Sequence, residues 1–412
     1  MELKRVVVTG LGAITPIGNT VSEFWDGVVG GKSGAGPITR FDTEKFKVKF
    51  ACEVKGFDPS LYIDPKDARK MDLFTQYSIS VAAQAIDDAH LDTSKLNLDK
   101  VGVIFGVGIG GIITFEQEMT NYALNKEMGP RFNPFFIPKM ISDIAPGMIS
   151  IRYGFRGVNF TTTSACASST NALVDAFNYI RLGKADIILA GGAEAAVCEA
   201  GIGGFSSMHA LSTRNDSPQT ASRPYSKSRD GFVLGEGAGC LVLEEYEHAK
   251  ARGAKILAEV VGYGFSSNGL NISQPSPEGC RISIYRALDD AKLKARDVDY
   301  INAHATSTPQ GDAAEAMALD SIFTEHKTPI SSTKSMTGHE CWMAGASEIV
   351  YSVLMMKNDF IAPNINFTTP DEASAKLNII PETVEHPIKA FLSNSFGFGG
   401  TNSALVVKAF IS

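Results

Sequence analysis

Strand-like and helix-like segments alternate along this chain from end to end. The β-branched run Val158–Thr163 predicts a strand, and Ala167–Leu182 carries apolar residues at helical spacing before a glycine. Strands that alternate with helices favour sheets covered on both faces. The pattern therefore predicts an α/β fold.

The other predicted elements continue this alternation. Strands are expected at Arg5–Thr9, Val101–Gly106, Asp186–Ala190, Gly231–Leu243, Ile256–Gly264, Tyr300–His304, Ile330–Ser332, Phe391–Ser395 and Ser403–Val407. Helices are expected at Gln76–His90, Glu244–Arg252, Ile282–Lys292 and Met343–Met356, with a loop at Gly203–Asp230. No linker interrupts the chain, so residues 1–252 and 253–412 are expected to form two similar halves packed as one body.

Composition narrows the class of protein. The 412 residues are 44% hydrophobic and 20% charged, which is typical of a globular protein with an ample core. The six cysteines show neither disulfide nor metal-ligand spacing, and no signal-peptide pattern or membrane-spanning stretch is visible, so we expect a reduced, cytoplasmic protein without a metal. The net charge of −7 argues against nucleic-acid binding.

Cys166 is the first candidate for chemistry. It lies in a run of small residues between the predicted strand and the predicted helix. Unpaired backbone N–H groups and the helix dipole favour a thiolate there, and a thiolate is a nucleophile. A lone cysteine is more often a buried apolar residue, and this interpretation is kept for Cys52, Cys198, Cys240, Cys280 and Cys341.

Three further segments carry residues suited to chemistry. Asn302–Asp312 places His304 at the end of a predicted strand, and Ser332–His339 again ends a strand before a helix. Ser393–Asn402 is rich in glycines, which permit close approach of a substrate to the backbone. Each segment alone is weak evidence, because single histidines and glycine turns are usually structural.

Together with Cys166, these segments resemble the β-ketoacyl-acyl carrier protein synthases, the condensing enzymes of the thiolase-like superfamily. The resemblance covers essentially the whole chain, is closest to the bacterial chain-elongating type II branch, and includes Val7–Gly12, Ser222–Phe232 and Gly235–Gly239. It implies a thiolase-like fold of two duplicated βαβαβ halves in α-β-α-β-α layers, and a homodimer.

The resemblance also implies an activity, the elongation of fatty acids by two carbons. Cys166 would hold the acyl chain as a thioester, while His304 and His339 would flank the sulfur. Malonyl-acyl carrier protein would lose carbon dioxide, and its carbanion would attack the acyl group. Imidazole N–H groups suit this step because they stabilise the enolate oxygen.

Other roles are likewise implied only by the resemblance. The backbone N–H groups of Cys166 and Phe398 would form an oxyanion hole, and Phe398 would gate the acyl pocket. Lys334 would lie behind the histidines with Glu348 as its ion-pair partner, where it would adjust the local electrostatics.

The remaining implied contacts concern the carrier protein. Thr306 and Thr308 match a hydroxyl pair that binds the pantetheine amides, although local turn hydrogen bonding would explain them equally well. No cofactor is implied, since the substrate brings its own phosphopantetheine arm. Basic residues would meet the acidic carrier protein, although charge runs are normally only solvated: Lys66, Arg69, Lys70 and Arg214.

The chain departs from the family pattern in places. Glu340–Gly345 stands where the family usually has Leu-Leu-Gly-Ala-Ala-Gly, so that Trp342 replaces a glycine. Ala305 replaces the glycine that usually follows the first histidine. The segment Asn268–Ser273 lacks a common aromatic-histidine-methionine-threonine pattern. These changes bear on substrate preference, and a specialised synthase for aryl polyene or polyketide chains is the alternative. A non-catalytic chain-length factor and a coenzyme A thiolase are disfavoured, because Cys166 is kept and no second cysteine lies beside Phe398.

Overall fold

A mixed sheet of eleven strands is the framework of the structure, a computed structural model that describes residues 2–323 and 325–411. The sheet contains β1 (Val6–Ile14), β4 (Val101–Gly106), β5 (Asn159–Thr162), β6 (Ile187–Glu194), β7 (Gly237–Glu245), β8 (Ala258–Ser267), β9 (Tyr300–Asn302), β10 (Pro329–Ser331), β12 (Asn378–Ile379), β14 (Ala390–Phe396) and β15 (Thr401–Lys408). Two short pairs lie outside it: β2 (Gly36–Pro37) with β3 (Phe50–Ala51), and β11 (Phe360–Ile361) with β13 (Val384–Glu385).

Helices cover both faces of this sheet. They are α1 (Val21–Val29), α2 (Pro65–Ala68), α3 (Leu73–Asp88), α4 (Ile112–Leu124), α5 (Phe136–Met140), α6 (Ile144–Tyr153), α7 (Ser168–Arg181), α8 (Glu199–Ser207), α9 (Tyr246–Ala251), α10 (Pro277–Asp290), α11 (Pro309–Phe323), α12 (Lys334–Thr337) and α13 (Ala344–Lys357). Within the described ranges, none of these helices is long and apolar enough to cross a membrane.

The two halves of the sheet have the same topology. Strands β1-β7-β6-β4-β5 and β8-β15-β14-β9-β10 follow one spatial order, and each pair of neighbours has the same relative direction in both halves. The halves meet where β1 pairs antiparallel with β8. The predicted α/β fold with a duplicated arrangement is therefore confirmed, although the sequence itself shows no repeat.

Helices α7 and α13 form the central layer. Each follows the third strand of its half, and the two helices pack on each other and against both half-sheets. Helices α3 and α6 cover the outer face of the first half, and α10 and α11 cover that of the second. The segments just before α7 and α13 are therefore equivalent positions in the duplicated fold, and they supply Cys166 and His339.

Some predicted boundaries are wrong. The loop expected to begin at Gly203 begins after Ser207, because α8 tolerates its glycines while Ile202 is buried in the core. Glu244 belongs to β7 rather than to a helix, and the strand expected from Gly231 begins only at Gly237. Packing against neighbouring elements overrides local propensity at these points.

Candidate active site

Cys166 lies in the short turn between β5 and α7, two residues before the helix begins. Ala165 takes a left-handed backbone conformation with φ of 49°, which turns the chain sharply out of the strand. The Oγ atom of Ser168 accepts the Ser164 N–H at 2.9 Å and donates to the Ala165 carbonyl at 2.6 Å. These bonds hold the turn and present the sulfur at a fixed place.

Two histidines meet the sulfur. His339 Nε2 lies 3.1 Å from Cys166 Sγ, and the rings of His304 and His339 stand perpendicular with centroids 5.4 Å apart. One nitrogen from each ring and the sulfur all lie within 4.8 Å of one another. Sequence positions far apart along the chain thus form one compact group.

The backbone holds each histidine from behind. The N–H groups of His304 and Ala305 donate to the Glu315 carboxylate at 2.9 and 2.8 Å, and the Asn394 amide donates to it at 3.0 Å. His339 donates its N–H to the carbonyl of residue 233 at 2.7 Å. These hydrogen bonds therefore fix the two chain segments that carry the rings.

A buried ion pair lies behind the two histidines. Lys334 and Glu348 are each 1% exposed, and the Lys334 ammonium donates to the Glu348 carboxylate. Burial and the Lys334 charge lower the pKa of both His304 and His339 well below the ordinary value, and His339 lowers that of His304 further. Both imidazoles are therefore neutral at physiological pH.

The cysteine itself is a neutral thiol. Burial raises the pKa of Cys166 to about 11, although the Lys334 charge and the backbone N–H groups of Phe398 and Cys166 act to lower it. The expectation of a favoured thiolate is therefore wrong, because the loss of hydration outweighs the charges and dipoles that stabilise the anion.

This group lines a cleft of about 420 Å³. Thr306 and Thr308 lie on its wall with their hydroxyl oxygens 3.1 Å apart, and the half-buried Phe398 also lines it. Gly397 packs so closely on the Cys166 turn that a Cβ atom there would lie 3.0 Å from the Cys166 nitrogen. The glycine segment thus places the Phe398 N–H beside the sulfur.

The structure does not bring all of the predicted site residues together. Lys66, Arg69 and Lys70 are exposed on and just after α2, away from the residues that line the cleft, and Lys70 pairs with Asp67 at 2.8 Å. Arg214 is closer, because it pairs at 3.4 Å with Asp230, which directly precedes a residue of the cleft wall.

Sequence reasoning missed three supporting residues. Besides Glu315, Asp312 accepts the Ser307 N–H at 3.1 Å, and Arg229 donates to the Thr308 carbonyl at 3.0 Å. Both are almost completely buried and hold the turn that carries the two threonines. Asp312 and Glu315 could have been found from the sequence, because they are acidic residues among the alanines of α11 and a buried helix face is expected to be apolar.

Cysteine and histidine are also metal ligands, and Cys166, His304 and His339 lie close enough together to hold an ion. The buried Lys334 cation acts on both histidines and disfavours a further cation beside them. A thiol in contact with one neutral imidazole and within 4.8 Å of a second, with backbone N–H groups aimed at the sulfur, suits nucleophilic acyl transfer.

Comparison with known proteins agrees with this geometry. Residues 3–249 match the "Beta-ketoacyl synthase, N-terminal domain" and residues 257–368 match its "C-terminal domain". The chain is 47% identical over 413 residues to 3-oxoacyl-[acyl-carrier-protein] synthase 2 of Coxiella burnetii, and 46% identical over 412 residues to that of Staphylococcus aureus. In both cases 99% of this chain and 99% of the relative are covered.

Solved structures give the same result. The ishigamide ketosynthase/chain length factor superposes with a TM-score of 0.92 at 34% identity, covering 99% of this chain and 100% of that one. A ketosynthase in complex with its type II polyketide acyl-carrier protein superposes with a TM-score of 0.89 at 33% identity, with the same coverage. The chain belongs to the β-ketoacyl synthase family.

Proposed function

We propose that this protein is a 3-oxoacyl-[acyl-carrier-protein] synthase that elongates acyl chains by decarboxylative condensation. The observation that carries the proposal is the contact of 3.1 Å between Cys166 Sγ and His339 Nε2, with His304 beside them in an open cleft. Relatives of this name match over full length at 46–47% identity, which favours fatty-acid elongation over the aryl polyene or polyketide alternative.

The first step transfers the acyl group. The Cys166 sulfur attacks the thioester carbonyl of the acyl-carrier substrate, and the backbone N–H groups of Cys166 and Phe398 stabilise the oxyanion. The thiol is neutral, so its proton must leave as the S–C bond forms. That proton passes to the departing phosphopantetheine sulfur, which leaves as a thiol.

The second step forms the carbon–carbon bond. Malonyl-acyl carrier protein loses carbon dioxide, and N–H groups on the neutral rings of His304 and His339 stabilise the enolate oxygen. The carbanion then attacks the acyl carbonyl, and the Cys166 sulfur departs and takes up one proton from solvent. Each turnover therefore consumes one proton.

The arrangement requires neither a metal nor an organic cofactor, because the substrate brings the phosphopantetheine arm. Thr306 and Thr308 are placed to bind the amides of this arm along the cleft wall. A ketosynthase of similar fold binds an acyl-carrier protein, and this supports an acidic carrier protein as the partner. Lys66, Arg69, Lys70 and Arg214 are the docking residues in this proposal.

A second copy of the chain is the other proposed partner. Strand β5 ends the sheet, and the segment of α4 and α5 exposes Phe115, Phe132 and Ile137. An unpaired sheet edge and exposed aromatic residues each favour association of two protomers. Sedimentation velocity should therefore give twice the chain mass of 44.0 kDa, and a single chain would contradict the homodimer.

The proposed location is the cytoplasm. All six cysteines are free thiols in the structure, and the mechanism needs Cys166 reduced.

Intact-protein mass spectrometry tests the function directly. The enzyme is mixed with acyl-acyl carrier proteins of several chain lengths, and malonyl-acyl carrier protein is then added. We expect an acyl mass gain that is absent in Cys166→Ala but retained in Cys341→Ala, followed by a β-ketoacyl product. A protein that gains no acyl group from any straight-chain donor would contradict the proposal.

A further inference from the structure

Trp342 occupies an unusual place beside the catalytic group. Cys341 takes a left-handed backbone conformation with φ of 51°, and this turns the chain after His339 so that the indole ring lies against Gly108. A Cβ atom on Gly108 would lie only 2.2 Å from the ring. The indole ring therefore leaves no room for a side chain at position 108, and its packing there requires glycine.

The Gly108 segment cannot easily retreat from the ring. The buried Glu194 carboxylate accepts the N–H groups of Gly108 and Ile109, both at 3.1 Å. The Val107 carbonyl accepts the Thr163 hydroxyl at 2.8 Å, which ties the segment to the turn that carries Cys166. Trp342, three residues after His339, thus packs on a braced piece of backbone that is bonded to Thr163, three residues before Cys166.

An aromatic row connects Trp342 to the cleft. Its ring lies 6.0 Å from that of Phe205, which lies 5.4 Å from Phe232, and Phe232 in turn lies 5.3 Å from the His339 ring. Phe232 lines the cleft together with Met208 and Ala210. We call Phe232, Phe205 and Trp342 the aromatic row.

The walls of the cleft differ in chemistry. Thr306 and Thr308 present hydroxyl groups suited to the amides of the carrier arm, whereas Phe232 and Met208 present hydrocarbon. A hydrocarbon chain bonded to Cys166 gains most by following the apolar wall. Phe205 and Trp342 do not line the cleft itself but continue the aromatic row behind Phe232, and Trp342 is only partly buried.

We propose that Trp342 limits the length of the acyl chain on Cys166 by closing the far end of the aromatic row against Gly108. This inference rests on the proposed function and adds a substrate class, namely acyl chains short enough to end before the indole ring. Trp342 is a specificity-determining residue and takes no part in bond making. The braced Gly108 segment prevents the indole from moving in its direction to make room for a longer chain.

The test compares Cys166 acylation in the wild-type protein with that in Trp342→Ala and Trp342→Phe, using a series of straight-chain acyl-acyl carrier proteins without malonyl substrate. We expect the wild-type rate to fall beyond a certain length. In Trp342→Ala the decline in rate should begin at longer chains, and short chains should react as in the wild-type protein. For the longer chains the acylation rate should increase about tenfold for every two methylenes that become buried. Trp25→Phe, at the other tryptophan, which packs on Phe360, is the matched control and should keep the wild-type profile.

A second readout uses fluorescence. Trp25→Phe leaves Trp342 as the only tryptophan, so its emission should shift when Cys166 carries a chain near the length limit. Trp342→Phe leaves only Trp25, whose emission should not respond.

The outcomes separate the two proposals. If no donor acylates the wild-type cysteine, the proposed function fails. If acylation occurs but the chain-length profiles of the wild-type protein and the Trp342 variants coincide, or if all lengths slow equally, the length limit is refuted. Should Trp342→Ala not fold, the milder Trp342→Phe decides in the same way, because it also removes part of the bulk.

Discussion

At the scale of single residues, the reaction begins from a protonated sulfur. Burial places the pKa of Cys166 at about 11, so the thiolate population increases as pH rises towards that value. We expect the rate of Cys166 alkylation by iodoacetamide, followed by mass spectrometry, to increase throughout pH 7–10 without a plateau. A free thiol such as N-acetylcysteine, measured alongside, should level off earlier. A plateau near neutral pH would show that the thiolate is already formed.

The buried ion pair of Lys334 and Glu348 leads to a second prediction for single residues. Lys334→Met leaves the Glu348 carboxylate buried without its cation, and breaking such a pair costs about 3–5 kcal/mol. Urea unfolding should show this loss, and the double variant Lys334→Met, Glu348→Gln should recover most of it, because the unpaired charge is then removed. Equal stability of the two variants would contradict the pairing.

At the scale of elements, the contact between the Gly108 segment and the turn before α13 is testable. Gly108→Ala places a Cβ atom against the indole ring and should lower the free energy of unfolding by about 1–3 kcal/mol, the usual cost of overpacking. In the Trp342→Ala background the same change should be tolerated, so a double-mutant cycle measured by urea unfolding should give strong coupling. Additive effects would mean that the two residues do not touch.

The same turn carries a buried acid. Glu340 accepts the Ser347 hydroxyl at 2.6 Å, and burial raises its pKa to about 8. The folded state therefore keeps a proton that the unfolded chain loses near pH 4, so this carboxyl makes stability fall as pH rises from about 4 to about 8. Glu340→Gln removes that loss, and its stability relative to wild type should grow by up to about 1.4 kcal/mol per pH unit within this window.

The control for this measurement is Glu382→Gln at an exposed position. Its unfolding free energy should run parallel to that of the wild-type protein across the same pH range. If Glu340→Gln also runs parallel, Glu340 is ionised in the folded protein and the burial argument fails.

At the scale of the whole molecule, carrier-protein docking should depend on charge. We expect KM for the acyl-carrier substrate to rise with salt, and Lys66→Ala to raise KM and weaken this dependence while leaving kcat unchanged, since an exposed charge acts mainly on association. Lys255→Ala is the control, because Lys255 precedes β8 and lies at the opposite end of that strand from the cleft. Equal KM changes in the two variants would contradict docking at α2.

The alternation of elements and the chemical residues were readable from the sequence, because both are local. Periodicity marked the strand before and the helix after Cys166, and the segments around residues 166, 304, 334 and 339 carried the family resemblance that implied acyl transfer by a thiol. Helix boundaries such as that of α8 were less predictable, since burial there outweighs the low helix propensity of glycine.

Tertiary structure decided what depends on distance and burial. The duplicated topology brings the starts of α7 and α13 together, and so places two atoms 3.1 Å apart that are separated by 173 residues along the chain. The position of Trp342 against Gly108 follows from packing that no local pattern encodes, and only the structure shows that the Glu315 carboxylate accepts the His304 N–H. The sequence determined which groups can react, whereas the fold determined their charge, because a pKa is set by desolvation and by neighbours in space.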